Sequence, residues 1–356
     1  MKIKNYIIWL VLFLLVIFRY FSTRPIFRDG DLIRVASRVS AEPVQYTNAR
    51  RLILAGLKIY LPKYPEVGYG DRVVIEGVVA GGQLKKPRLI SVEREGGILF
   101  RLRQRLIAFY RFVLPEPHAS LVAGIVLGSK SQISESFWQS LKNSGAAHVV
   151  VASGMNVTFV AGFLIAVLAL YLPRKKALIP AVIGIWLYAV LSGFEAPIIR
   201  AAAMTTLAFW AQAVGKVSFA WEILLFSALV MLAVKPSWLN DTGFILTYVA
   251  TSSLMLFSGR IKRLFGFLPK ATVFFNEGLI TSLAAQIGVA PILFVTFGQF
   301  NLFSPLINAL ILWTVPLIMI IGAIGGIVGL VVPVVGRLIL LIVYPLTWWF
   351  TMIISI

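Results

Sequence analysis

The chain has no cysteine and only two histidines, His118 and His148, in 356 residues. The missing thiols exclude disulfides, cysteine nucleophiles, cysteine-ligated metals and cysteine-linked lipid anchors. Two histidines are too few for a His-rich catalytic metal centre. Charge is also scarce: 13% of residues are charged and 59% are apolar, with a mean hydropathy of +0.89. A soluble domain is typically about 25% charged and about 45–50% apolar. These absences exclude an ordinary soluble enzyme and point to a polytopic α-helical membrane protein. Acidic side chains are the scarcer sign, 14 against 33 Lys and Arg, a net charge of +19. Such a surplus suits an anionic partner, either membrane lipids or nucleic acid.

Twenty of the 33 basic residues fall within the first 114 positions, so that third differs in kind from the rest. It opens with Lys2 and Lys4 and an apolar run from Tyr6 to Phe18, interrupted by Arg19 and closed by Phe21. Ser22-Thr23-Arg24-Pro25 is not a small-x-small cleavage site, so residues 1–23 read as a retained signal-anchor helix with a cytoplasmic N-terminus. Hydropathy then falls. Leu32–Val39, Arg51–Tyr60, Asp71–Val79 and Arg88–Val92 are β-prone, with turn signals at Tyr69–Asp71, Gly81-Gly82 and Lys86-Pro87. Four or five short strands within residues 29–95 predict a small extracytoplasmic β-barrel of OB-like type. Such domains hold single strands by stacking bases on aromatics beside basic groups. The candidates here are Arg50, Arg51, Lys58, Tyr60, Lys63, Tyr64, Lys85, Lys86 and Arg88, with Tyr46 and Tyr69 nearby. Against this, Lys and Arg solvate most small β-domains, and the region's own net charge is only +3. Residues 97–148 follow as amphipathic or interfacial helices. Ile98–Leu114 places Leu102, Leu106, Phe109 and Val113 on one face, with Arg101, Arg103, Arg105 and Arg111 directed elsewhere. A membrane-surface helix competes there with DNA contact by Arg101 and Arg105. His118–Gly128 is apolar but too short to span, and Ile133–Asn143 reads as amphipathic.

Residues 149–356 are almost continuously apolar. Candidate spans are Val149–Leu172, Ala177–Leu191, Pro197–Val214, Phe219–Val234, Thr242–Phe257, Phe275–Phe297, a long stretch Leu302–Val332, and Leu338–Ile354. With the anchor helix this predicts about 8–10 spans. The long stretch, rich in glycine, fits either one tilted span or a span plus a broken half-helix. Arg174–Lys176, Lys216, the Arg260–Lys270 cluster and Arg337 lie in alternate loops. The intervening ones carry Glu195, Lys235 with Asp241, and the Gly298–Asn301 turn. The positive-inside rule puts the first set in the cytoplasm and residues 24–148 outside.

Gly128-Ser129-Lys130-Ser131-Gln132-Ile133, then Phe137, then Asn143-Ser144-Gly145-Ala146-Ala147-His148-Val149-Val150-Val151-Ala152-Ser153-Gly154-Met155-Asn156-Val157 closely resembles the signature of the ComEC family, the membrane channel of bacterial DNA uptake. Leu191-Ser192-Gly193 with Pro197, Arg200, Ala201 and Met204 resembles a second family patch. Thr242–Tyr248 resembles a third, and Pro291 with Asn301, Pro305 and Asn308 a fourth. The channel-signature positions are therefore Gly128, Gly145, His148, Ser153, Gly154, Asn156, Arg200 and Asn308. Asn156 stands where the family usually has a second His, and Ile245 where it often has Gln. Many members continue into a metallo-β-lactamase-like domain with a His-x-His-x-Asp-His motif, and no His follows His148 here. Against the family pattern, either a separate nuclease degrades the second strand or the chain is a short form of the family.

What the resemblance implies is a channel that carries single-stranded DNA inward during natural transformation, without catalysis, metal or cofactor of its own. With no Gly-x-x-x-x-Gly-Lys-Ser/Thr motif in the chain, energy would come from a separate cytoplasmic ATPase, and further partners would be DNA-receptor and other competence proteins. Phosphate cannot cross lipid unsolvated, so the path needs polar groups. The spans offer Ser153, Asn156, Glu195, Arg200, Gln212, Asn240, Gln286 and Asn308. Such Asn and Gln groups more often join helices than line a pore. Arg200 divides between an ion pair with Glu195 or Asp241 and a phosphate contact at the channel mouth. His148 and Ser153 are five residues apart, too far around a helix for a catalytic pair. The rival readings are a small-solute or lipid permease, and a non-transporting envelope assembly protein.

Overall fold

The computed structural model describes residues 2–22, 27–39, 43–45, 49–62, 64–93, 97–130, 133–150, 154–214, 220–265, 273–297 and 301–355. After α1 (Lys2–Ser22) come six strands: β1 (Leu32–Arg38), β2 (Val44–Gln45), β3 (Ala49–Leu54), β4 (Leu57–Pro62), β5 (Arg72–Ala80) and β6 (Gln83–Glu93). Alternation makes the sheet two-faced. Leu52, Leu54, Leu57, Ile59, Leu61, Val73, Ile75, Val79 and Leu84 point inward and form its core. Fully enclosing one such side chain stabilises by about 1.5–3 kcal/mol.

The strand order is β1-β5-β6-β4-β3-β2, an open sheet rather than the expected closed barrel. Closure needs strands long enough to keep their ladders around the turn. At one edge, β2 is two residues long, and β1 gives its ladder to β5. Among the described residues no ladder joins these edges. Two local expectations also change. The run Arg51–Tyr60 is a hairpin, not one strand, because Ala55 (φ 50°) and Gly56 (φ 83°) turn the chain, the positive-φ pair that a tight hairpin demands. Lys86-Pro87 is not a turn but lies within β6, where Lys86 takes φ 46° and the register against β5 shifts between Glu76 and Val78. A bulge is where a strand tolerates proline.

The helices follow as α2 (Ile98–Val113), α3 (His118–Leu127), α4 (Glu135–Asn143), α5 (Ala147–Val150), α6 (Gly154–Leu168), α7 (Arg174–Leu191), α8 (Ala196–Ala213), α9 (Ala220–Val234), a 3-10 turn at Pro236–Asn240, α10 (Thr242–Leu264), α11 (Val273–Phe297), α12 (Ser304–Ile311), α13 (Thr314–Val331) and α14 (Pro333–Ile354). Among the described residues, four helical stretches, in α10, α11, α13 and α14, are long and apolar enough to cross a membrane. The segment Ala147–Leu168 is a fifth, running across three residues outside the described set. Trp9–Ser22, His118–Leu127 and Ala220–Val234 are shorter apolar helices. The molecule is a multi-pass membrane protein. The long stretch Leu302–Val332 resolves into the broken form, a half-helix α12 and a full helix α13.

At the centre, every residue of α3 is buried, as its apolar circumference requires. It packs with α2, α13 and α14. Lipid gives helices no hydrophobic reason to associate, so close approach by small residues does the work. A side chain at Gly322 would meet Val122 and Val126, one at Gly326 would meet Tyr110 and Leu106, and one at Gly329 would overlap Phe109. The apolar face of α2 is thus seated in a glycine groove of α13. On the opposite side of that groove Gly336 of α14 lies against the Gly329 backbone.

Candidate functional site

Two helices end in the same way near one another. After α3, Gly128 adopts φ 67°, and the Gly128 and Ser129 amides bond back to the Gly124 and Ala123 carbonyls. After α7, Ser192 and Phe194 bond back to Tyr188 and Ala189. Each closure leaves a terminal carbonyl exposed to the other helix. Arg103, only 1% exposed, fills the space between and donates through Nη1 to both Leu127 O and Leu191 O. A guanidinium suits this position, because each helix C-terminus carries about half a negative charge. Lys130 Nζ and Glu195 Oε1, 2.8 Å apart, pair the residues just beyond the same two ends.

The β-region is attached at this point. Tyr69 donates its hydroxyl to Val190 O at 3.1 Å. Its ring stands 4.9 Å from that of Phe100 and 5.7 Å from the Arg103 guanidinium. Burial pushes the Tyr69 phenol up to about 12, partly opposed by the Arg103 charge. Neither Arg103 nor Tyr69 stands out in the sequence as part of a joint. The spacing Arg103, Leu106, Ile107, Tyr110 is i, i+3, i+4, i+7, which does put Arg103 on the buried face of α2. Arg103 therefore differs from the other arginines of that helix, Arg101, Arg105 and Arg111, which are exposed.

The remaining signature positions fasten other helices. Asn156 is wholly buried and donates to Ile125 O at 3.0 Å, joining α6 to α3. Gly145, at φ 74°, lies so close to Ser304 that a Cβ would meet its hydroxyl. Beside it Asn301 Nδ2 donates to Asn143 O at 2.6 Å, Gln286 Nε2 to Asn301 O at 3.2 Å, and Asn308 Nδ2 to Ser304 Oγ at 3.2 Å. These bonds lock the α4–α5 corner onto the start of α12. His148 Nδ1 is 2.9 Å from Gly145 O, with an otherwise exposed ring. Gly154 lies against Ala201 of α8. Ser153 lies outside the described residues.

Arg200 is fully buried. It makes no salt bridge with Glu195, whose carboxylate is taken by Lys130. Asp241 instead caps α10 by accepting from Phe244 N at 2.7 Å. Arg200 Nη2 donates to Gly243 O at 2.9 Å and to Thr247 Oγ1, and the guanidinium stands 5.7 Å from the Phe244 ring. Among the described residues its Nε and Nη1 have no hydrogen-bond partner.

On the β-region the expected nucleic-acid contacts separate. Arg50 is 5% exposed and donates to Val67 O at 2.8 Å, serving the local fold. Lys58, Tyr60, Tyr64, Lys85, Lys86 and Arg88 are exposed and Arg51 half-buried. Lys63 lies outside the described residues. Arg51 sits directly opposite Tyr60. The parallel pairing of Ile59 with Leu84 sets Tyr60 beside Lys85 on the outward face. Arg51, Tyr60 and Lys85 thus form a row across β3, β4 and β6. Arg88 lies further along β6 opposite Glu76. Among the described residues, no three His, Asp or Glu converge as metal ligands would.

A protein-family model described as Competence protein matches residues 125–356, well over half the chain. Among curated proteins, the chain is 28% identical over 228 residues to ComE operon protein 3 of Bacillus subtilis (strain 168), covering 64% of this chain and 28% of that one. It is also 28% identical over 207 residues to Competence protein ComA of Neisseria gonorrhoeae, covering 53% and 27%. The chain therefore spans little more than a quarter of the length of these relatives. No solved structure matches it.

Proposed function

On the premise that this chain belongs to the Competence protein family, we propose that it conducts single-stranded DNA inward across the cytoplasmic membrane during natural transformation. The observation that carries this reading is the family match across residues 125–356, the region whose signature positions hold the helix ends together. In this reading α1, α6 to α11, the α12–α13 pair and α14 cross the bilayer, and the sheet stands on the extracytoplasmic side. Four contacts support one common outer end: Arg19 with Val234 O, Tyr69 with Val190 O, Lys130 with Glu195, and Asn301 with Asn143 O.

The outward row of Arg51, Tyr60 and Lys85, with Lys58 and Arg88 nearby and Arg101 and Arg105 on α2, receives the strand in the OB-like manner. Phosphates meet the cations and a base stacks on Tyr60. Arg200, whose buried Nε and Nη1 have no hydrogen-bond partner among the described residues, is the intramembrane group suited to phosphate. Motive force comes from a separate cytoplasmic ATPase and delivery from DNA-receptor proteins.

The test is reconstitution in liposomes with the motor and labelled single-stranded DNA. Protected DNA accumulates in vesicles that contain the protein and not in those without it. Equal protection in both overturns the reading, as does normal transformation of a deletion strain. One observation favours a permease instead: the broken α12–α13 helix is a device of solute transporters. That reading predicts small-solute flux in the same liposomes without DNA or motor.

A further inference from the structure

Two cavities of about 400 and 410 Å³ adjoin at Pro117, Phe137 and Ser140. Each falls within the ~300–1,000 Å³ of small-molecule sites. Their linings differ in kind. One is walled by the last two turns of α14, with Trp348 and Met352, both exposed. The other is bounded by Arg111, Glu116, Ser134 and Ser136. Together they make a single groove that passes from apolar to charged. We propose that this groove seats one phospholipid with a zwitterionic headgroup bearing a primary ammonium, phosphatidylethanolamine.

The charged end carries one group of each sign. Arg111 Nε and Glu116 Oε1 are 3.4 Å apart, with side chains 49% and 45% exposed. A pair so wet contributes little to stability, so a headgroup can spread it at small cost. The Arg111 fork then takes the phosphate. Glu116 takes the ammonium; its other oxygen is already fixed at the start of α3 by the Ser120 amide at 3.2 Å. The upper part of one of its two acyl chains lies along Trp348 and Met352. Trp348 and Trp349 near the end of this long apolar helix are the aromatic pair found where a span reaches headgroup level. A lipid with phosphate but no ammonium leaves Glu116 facing a like charge. A nucleic acid has the same difficulty. The inference does not depend on the DNA-transport reading.

The protein is reconstituted in phosphatidylcholine vesicles containing equal amounts of an acyl-chain-brominated lipid, either phosphatidylethanolamine or phosphatidylglycerol. Subtracting the Trp348→Phe protein isolates the Trp348 fluorescence. Brominated phosphatidylethanolamine quenches that component at least about threefold more than brominated phosphatidylglycerol, and Glu116→Gln removes the preference. Equal quenching by the two lipids, or a preference that survives Glu116→Gln, overturns the proposal. Native mass spectrometry gives a second reading without the tryptophan change. The wild type retains one phosphatidylethanolamine and Glu116→Gln does not; equal retention by both proteins overturns it.

Discussion

In the β-region, Ile59, Val73 and Ile75 are wholly enclosed while Lys58, Lys85 and Arg88 face outward. Among the helices, Arg103, Arg200 and Asn156 are enclosed while Ile179, Trp210 and Val295 face outward. The two halves of one chain solve opposite solvent problems. In water, apolar side chains gain by leaving solvent and cations by staying in it. In lipid the apolar side chain gains nothing by turning inward, and the polar one must find a partner within the protein. Cohesion in the sheet therefore comes from transferred apolar area. Among the helices it comes from glycine contacts and from a few buried hydrogen bonds.

That contrast breaks most sharply at Arg103. Arg103→Leu would be nearly neutral if apolar burial held the helices. Because two helix-terminal carbonyls lose a charged donor, the expected loss is about 3 kcal/mol or more, read as a fall in the melting temperature of nanodisc-embedded protein. Ile75→Ala is the matching test of the β-region, with an expected cost of about 2–5 kcal/mol. Limited proteolysis should then cut within residues 29–93 and leave the bundle protected; equal loss of both regions would show that they fold as one unit. Gly329→Val drives a side chain into the Phe109 ring, for about 1–3 kcal/mol, read by the same melts.

Tyr69→Phe removes one joint between the regions, at about 1 kcal/mol. Its pH dependence has a defined sign. The folded phenol titrates near 12 against about 10 unfolded. Stability from the neutral form is therefore complete below pH 10 and lost as pH rises through about 12. The alkaline melting difference between wild type and Tyr69→Phe should narrow across that window. Smallest in stability, within about ±0.5 kcal/mol, is the pair Lys58→Ala and Lys85→Ala. It should nonetheless flatten the log–log salt slope of single-stranded DNA binding by about 0.7 for each phosphate that is no longer neutralised.

Periodicity and hydropathy located most of the elements. The expected Ile98–Leu114 helix is α2, Asp71–Val79 is β5 shifted by one residue, and each apolar window after residue 149 is centred on one helix, except Leu302–Val332, which holds two. The hairpin at Ala55-Gly56 is hidden in the sequence because Ala-Gly is not the usual pair at a positive-φ turn. Barrel closure is not legible either, since it depends on the lengths of edge strands that composition does not reveal. Around the site, the signature marks Gly128, Gly145 and Asn156 but carries no geometry. Arg200 and Glu195 look like natural partners at a spacing of five. Glu195 is instead paired with Lys130, sixty-five positions earlier, an arrangement that only the meeting of the α3 and α7 ends creates. Arg103 escapes notice because one Arg in a basic helix looks like the next until its face is fixed.

One residue, Val332, separates α13 from α14, and Gly329 and Gly336 bring the two backbones together beside it. The consequence falls on biosynthesis. A connection this short leaves no loop to be threaded across the bilayer separately, so the insertion machinery must take in Thr314–Ile354 as a single hairpin. A side chain added at either glycine would therefore act twice: first as a lower yield of correctly inserted chain, then as a lower melting point in the protein that does insert.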